Sequence, residues 1–166
     1  MAKHKVAKTN AMRELDQAHI RYTVREVEGE EEDISRGLGV RLAKQTGADM
    51  DSQFKTLVCV APNHDHVVCC IPVAEELDLK KAAAAANEKS LELESWKKLE
   101  AVTGYVRGGC TPVGMKKKFP TLIDETAQLF DIIGISGGRR GLGLRLNPME
   151  LANFLGAKFV DIVQEG

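Results

Sequence analysis

The stretch from Phe54 to Val73 constrains the fold more than any other part of the chain. Phe54-Lys-Thr-Leu-Val-Cys-Val-Ala61 and Val67-Val-Cys-Cys-Ile-Pro-Val73 are rich in apolar and β-branched residues, and Pro62-Asn-His-Asp-His66 between them has turn composition. Two such runs around a short polar turn predict a β-hairpin. Adjacent Cys69 and Cys70 then point to opposite faces of their strand.

Elements on both sides of the hairpin follow from patterning. Residues 10–19 predict a helix with Ala11, Leu15 and Ala18 on one side and Asn10 as a cap. Ile20 to Val27 alternates loosely through Tyr22, Val24 and Val27, as a strand does. Glu28, Glu30, Glu31, Glu32 and Asp33 read as a solvated loop and helix start, and Leu38, Val40, Leu42 and Ala43 suggest a helix ending near Gly47. Downstream, Glu75 to Ala86 has helix-forming composition, Leu91 to Glu94 suits a short strand, and Ser95 to Ala101 a short helix. Short strands are expected at Thr121–Asp124, Ile132–Ile135, Leu142–Leu146 and Phe159–Val163, with Asn147-Pro148 opening a helix. The irregular alternation over 166 residues, without a repeat or linker, predicts a single α/β domain with a mixed sheet.

Several function classes are disfavoured. The longest apolar stretches, such as Val67 to Ala74, fall far short of the ~18 residues that span a bilayer. The basic N-terminus leads into no apolar signal core, so a cytoplasmic protein with reduced thiols is expected. Cys59, Cys69, Cys70 and Cys110 include no Cys-x-x-Cys pair. A net charge of −1 argues against a protein that coats nucleic acid indiscriminately. The segment from Arg107 to Arg145, however, holds seven cations against three acids, a local +4 that suits a phosphate-bearing ligand.

The chemistry-bearing candidates are few. There is no Gly-x-Ser-x-Gly elbow, and His64 and His66 with Asp65 fit a solvated turn better than a metal site. Cys110 lies in a glycine-rich turn near Arg107, where a thiolate would be favoured, yet most free cysteines are packing residues. Two glycine turns, Arg107 to Gly114 and Ser136 to Gly143, match no Walker or dinucleotide fingerprint. They are either ordinary tight turns or places where backbone N–H groups converge on an anion or carbonyl oxygen. Lys55 interrupts an apolar strand start. It is either an exposed strand-end residue or a cation aimed into a cleft, able to bind phosphate or steady charge on a carbonyl oxygen.

Taken in order, Phe54-Lys-Thr-Leu57, Pro72 to Lys81, Thr103 to Gly114, Lys116 to Asp124, Ser136 to Leu142 and Ala157 to Ile162 resemble the YbaK/EbsC family of aminoacyl-tRNA deacylases. That family is related to the editing domain inserted in bacterial prolyl-tRNA synthetases. The resemblance implies one domain over residues 1–166, with a mixed, strongly curved sheet flanked by helices. It implies trans-editing hydrolysis of mischarged tRNA, typically Cys-tRNA(Pro), with no cofactor or metal. The partners it implies are the acceptor end of tRNA(Pro) and a prolyl-tRNA synthetase. Clearing the wrong ester at a second site makes sense where a synthetic pocket cannot reject a near-isostere.

The residues implied are Lys55 as the catalytic group, with Thr56, Gly108, Gly109, Cys110, Thr111, Pro112, Ser136, Gly137 and Gly138 holding the substrate. Lys116, Lys117, Lys118, Arg139 and Arg140 would meet the tRNA backbone. No protein nucleophile is implied: the cysteine substrate's own thiol attacks the ester, assisted by the terminal ribose hydroxyl. Such a site needs positioning and oxyanion stabilisation more than a triad. One departure concerns Gly143, where cysteine-specific relatives commonly carry an acid. An editing enzyme for another small residue such as Ala-tRNA(Pro), a non-catalytic tRNA-end or synthetase-binding module, and a thiol enzyme using Cys110 are the alternatives.

Overall fold

The computed structural model describes residues 7–26 and 50–165. The expected acidic loop and the helix ending near Gly47 lie outside them. The hairpin forms as the composition requires: β2 (Phe54–Val60) and β3 (His66–Pro72) pair antiparallel, from Phe54 opposite Pro72 to Val60 opposite His66. Its turn closes through the His64 N–H donating to the Ala61 carbonyl at 2.8 Å and the Ala61 N–H donating to the Asp65 carbonyl at 2.8 Å. The Asp65 N–H donates to the Asn63 side chain at 3.0 Å, a local bond that turn-forming Asn commonly makes.

The described strands form two sheets rather than the one expected. A five-stranded mixed sheet has the order β4-β2-β3-β5-β8, adding β4 (Glu92–Leu93), β5 (Thr121–Asp124) and β8 (Lys158–Val160) to the hairpin. Strand β3 pairs parallel with β5, and β5 with β8, so both connections cross over and carry helices. A three-stranded antiparallel sheet, β1-β7-β6, joins β1 (Tyr22–Glu26), β7 (Leu142–Leu146) and β6 (Ile133–Ser136).

Four α-helices flank these sheets among the described residues: α1 (Asn10–Gln17), α2 (Leu79–Ala85), α3 (Trp96–Thr103) and α4 (Pro148–Leu155). Helix α2 starts later than composition suggests. Asp78 caps it by accepting the Lys80 and Lys81 N–H groups, both at 3.0 Å, and Leu77 instead bridges to Val163. Likewise, the cap of α1 is Thr9 rather than Asn10.

Alternation along the strands divides the apolar side chains between cores. Cys59, Val67, Cys69, Ile71 and Leu122 face Ala82 and Ala83 of α2. On the other side, Phe54, Cys70 and Ile123 join Leu142, Leu144, Leu146, Ile133 and Ile135 of the three-stranded sheet, with Ala11 and Leu15 of α1 and Leu151 of α4. Cys69 and Cys70 therefore enter different cores. The inner face of the three-stranded sheet is apolar up to Glu26 at the end of β1, which leaves Thr23, Arg25, Gly134, Ser136, Gly143 and Arg145 on its outer face.

Asp124 ends β5 with only 1% exposure. Its carboxylate accepts from the Thr126 N–H at 3.2 Å, the Thr126 hydroxyl at 2.6 Å and the Ile162 N–H at 3.0 Å. The last bond ends β8 before Val163. Replacing Asp124 with alanine strands a buried N–H, so Asp124→Ala is expected to lose roughly 3 kcal/mol in urea unfolding. A loss below about 1 kcal/mol would show that the carboxylate is not what ties the C-terminal segment down.

Candidate active site

Among the described residues the two sheets meet at a parallel bridge, Gln53 with Gly134. A Cβ at Gly134 would lie 2.4 Å from both amide heavy atoms of Gln53, so the Gln53 side chain lies on the outer face of the three-stranded sheet. Gln53 and Lys55 share one side of β2, and Gly134 and Ser136 share one side of β6. Because the bridge is parallel, Lys55 and Ser136 each stand two residues beyond it in the same direction. Lys55 is half-buried and has no hydrogen bond or ion pair to the described residues. Beyond Ser136 the same row of partners continues to Gly143 and then Arg25.

Both glycine turns pack at the end of this row. The turn after β6 closes with the Gly137 N–H donating to the Leu142 carbonyl at 2.7 Å. Its Gly137 carbonyl accepts the Thr9 hydroxyl at 2.6 Å, which pins the turn to the start of α1. The loop after α3 comes in against it: a Cβ at Gly109 would lie 2.8 Å from the Arg139 Cα and 3.1 Å from the Arg140 backbone nitrogen. Only glycine allows that backbone-to-backbone approach. The Arg140 Nε donates to the Arg107 carbonyl at 3.1 Å, and the Tyr105 hydroxyl donates to the Val113 carbonyl at 2.6 Å, fixing both ends of the loop.

The residues singled out from sequence therefore separate into groups. Lys55 and Ser136 each lie two residues past the Gln53–Gly134 bridge, with the Gly137-Gly138 turn directly following Ser136 and Gly109 packed on Arg139-Arg140. Thr56 points to the opposite side of β2 from Lys55, with its hydroxyl 3.8 Å from the Cys70 sulfur. Cys110, Thr111 and Pro112 are buried, and Cys110 packs with Val58, Val68 and Tyr105. Burial pushes the Cys110 thiol up to about 12, against a hydrogen bond from Thr103 that lowers it. A thiol held protonated is a poor nucleophile, and the glycine-rich context that suggested a thiolate does not supply one.

The cations also differ. Lys116, Lys117 and Lys118 are exposed, with the Lys116 ammonium donating to the Ala101 carbonyl at 3.4 Å. Arg139 pairs with Glu26 at 3.1 Å. A polar groove of about 480 Å³ runs between α1 and the end of α3, lined by Asn10, Arg13, Glu14, Gly104 and Lys116 among others. His66 is engaged with Glu94 at 2.7 Å and lies edge-on to Phe119, and the contact holds the Glu94 carboxyl below the usual carboxylate range. Among the described residues no three His, Cys, Asp or Glu side chains are grouped to hold a metal ion.

Sequence reasoning missed Gln53, Gly134 and Arg25. Alternation with Tyr22 and Val24 already turned Arg25 outward, but nothing local told which strand lay beside it.

The aminoacyl-tRNA editing domain is the family whose model matches, over residues 39–154. The chain belongs to that family. EbsC of Enterococcus faecalis, named for Cys-tRNA(Pro)/Cys-tRNA(Cys) deacylase activity, is 42% identical over 163 residues, covering 98% of each chain. A crystal structure described as a trans-editing enzyme for prolyl tRNA synthetase shares the fold at a TM-score of 0.78, with 23% identity over 97% of this chain and 100% of that one. A hypothetical protein of 18% identity superposes at 0.83 over 94% and 100%. In this editing domain the glycine turns hold their geometry only while Gly109 lacks a side chain. Gly109→Ala is expected to keep the far-ultraviolet spectrum and slow ester cleavage about 100-fold by moving one turn against the other. A wild-type rate would show that the fit of the two turns does not matter to the reaction.

Proposed function

We propose that this editing domain hydrolyses the ester of mischarged aminoacyl-tRNA, with Cys-tRNA(Pro) as its substrate, as a trans-editing step in translation. The observation that carries the reading is the placement of Lys55: a half-buried cation without a described partner, level with Ser136 and beside two backbone turns. The name of the 42% identical EbsC supports the same substrate class. The terminal adenosine and ester lie along the outer face of the three-stranded sheet. The Ser136-Gly137-Gly138 turn and Gly108-Gly109 wall the site with backbone that carries no side chain, their Gly137 and Gly109 N–H groups held by the Leu142 and Val106 carbonyls, while Lys55 steadies the carbonyl oxygen as it gains charge. The substrate's thiol forms the new bond to the carbonyl carbon, the ester C–O bond breaks, and the ribose oxygen leaves with the thiol's proton; water then opens the cyclic thioester so formed, which restores the thiol and frees cysteine. This path requires no nucleophile from the protein, in keeping with the buried, protonated Cys110.

In this reading Lys116, Lys117, Lys118, Arg139 and Arg140 flank the tRNA backbone, and Thr56, Cys110, Thr111 and Pro112 shape the site from behind rather than by touching substrate. Residues 1–166 act as one domain in the cytoplasm, and a prolyl-tRNA synthetase supplies tRNA selectivity that so small a surface lacks. The strong sheet curvature of the resemblance fits the Gln53–Gly134 bridge, which joins the two sheets beside the site. Gly143 favours a second reading, in which another small residue such as alanine is removed, since no carboxylate stands at that position to meet a substrate amine or thiol.

The test is ester loss from Cys-tRNA(Pro), Ala-tRNA(Pro) and Pro-tRNA(Pro) with wild type and Lys55→Ala. The cysteine ester should be lost and the proline ester retained, with Lys55→Ala slower by roughly 100-fold. Survival of all three esters with wild type would sink the hydrolase reading in favour of a binding module. Faster loss of the alanine ester would support the second reading. Full activity of Lys55→Ala would remove Lys55 from the mechanism.

A further inference from the structure

An added Cβ would meet the end of the Gln53 side chain at 2.4 Å at Gly134, the Leu142 side chain at 2.7 Å at Gly137, and the Arg139 backbone at 2.8 Å at Gly109, where the fixed backbone forces glycine. Gly143 is different. A Cβ there would lie 3.7 Å from the Ile135 carbonyl oxygen and 3.8 Å from the Arg25 Cβ, ordinary contact distances that any small side chain satisfies. Its φ is not positive either. Neither packing nor backbone conformation accounts for the missing side chain, and its effect is an open step on the outer face between Ser136 and Arg25.

Arg25 borders that step. It is exposed, and it has no hydrogen bond or ion pair to the described residues, whereas the next residue, Glu26, is held by Arg139. Tyr22 and Val24 pack into the core, so Arg25 faces outward with Ser136 and Gly143. Two inter-strand spacings, about 10 Å, separate the Ser136 and Arg25 backbones. With an ester carbonyl at Ser136 and Lys55, one ribose laid across Gly143 carries the chain to the reach of the Arg25 side chain. The next charged group along a tRNA end from that ribose is its 5′ phosphodiester. A guanidinium matches phosphate oxygens in a planar, two-pronged geometry, and holds its charge at any working pH.

We propose that Arg25 and the side-chain-free step at Gly143 form a phosphodiester subsite, which binds the phosphate 5′ to the nucleoside whose ester is cleaved. The inference rests on the deacylase reading for the placement of the ester. It makes Arg25 a binding residue on a strand where the glycine turns and the basic loop supply none, and gives Gly143 the task of leaving the ribose room.

The test uses a non-hydrolysable amide analogue of cysteinyl-adenosine, with and without its 5′-phosphate, titrated by calorimetry against wild type, Arg25→Gln and Arg25→Lys. The phosphate should improve wild-type binding about tenfold, give no gain with Arg25→Gln, and keep part of its gain with Arg25→Lys. An equal phosphate gain in wild type and Arg25→Gln would overturn the subsite. So would equal weakening of both analogues by Arg25→Gln, since a group that supports the strand or the ester does not distinguish them. Binding of uncharged tRNA(Pro) at several salt concentrations supplies a readout independent of ester chemistry. Arg25→Gln should lower the slope of log affinity against log salt by about 1. If wild type binds tRNA but cleaves no ester, the deacylase reading fails while that slope still decides for or against the subsite.

Discussion

The seat of Gln53 on Gly134 is the constraint on which the rest of the site depends. Among the described residues it joins a five-stranded mixed sheet to a three-stranded antiparallel one through a parallel bridge. By strand alternation it also decides which side chains of the hairpin reach the outer face of the smaller sheet. Lys55 follows Gln53 by two residues and Ser136 follows Gly134 by two, so the bridge places both on the same side of the contact between the sheets. A larger residue at 134 would displace the end of the Gln53 side chain, since the amide already lies where a Cβ would be.

The glycine turns have a related but separate duty. Gly109 against Arg139 brings the loop after α3 onto the turn after β6, and the Thr9–Gly137 and Tyr105–Val113 hydrogen bonds hold each piece to a helix or to the loop itself. Among the described residues such a site is built from backbone, the Ser136 hydroxyl and one lysine. That construction suits a reaction in which the substrate brings its own nucleophile and the protein supplies position and a field.

Much of the fold was legible because its signals are local. The hairpin, the Asn147-Pro148 helix start and the short strands at Thr121 and Leu142 each follow from composition over a few residues. Boundaries shifted where a side chain competed for the backbone, as Asp78 does at α2 and Asp124 does after β8. Division into two sheets was not legible, because pairing between β1 and β7 joins segments far apart in the chain. The site was legible in part. Lys55 and the glycine turns stand out by residue type, but Thr56 and Cys110, their neighbours in sequence, face buried packing instead. Arg25 could be found only once its register against Gly143 was known.

Charge distribution makes sense in the same terms. A net −1 conceals a +4 segment around the glycine turns, and a protein gripping only a tRNA end needs few phosphate contacts. The central claim is that the ester lies on the outer face of the three-stranded sheet, between Lys55 and Ser136. Backbone amide NMR shifts on adding a non-hydrolysable cysteinyl-adenosine analogue test it most directly. The largest changes are expected at Lys55, Ser136, Gly137 and Gly143. Changes confined to the groove of Asn10, Arg13 and Lys116, with none along that row, would contradict it.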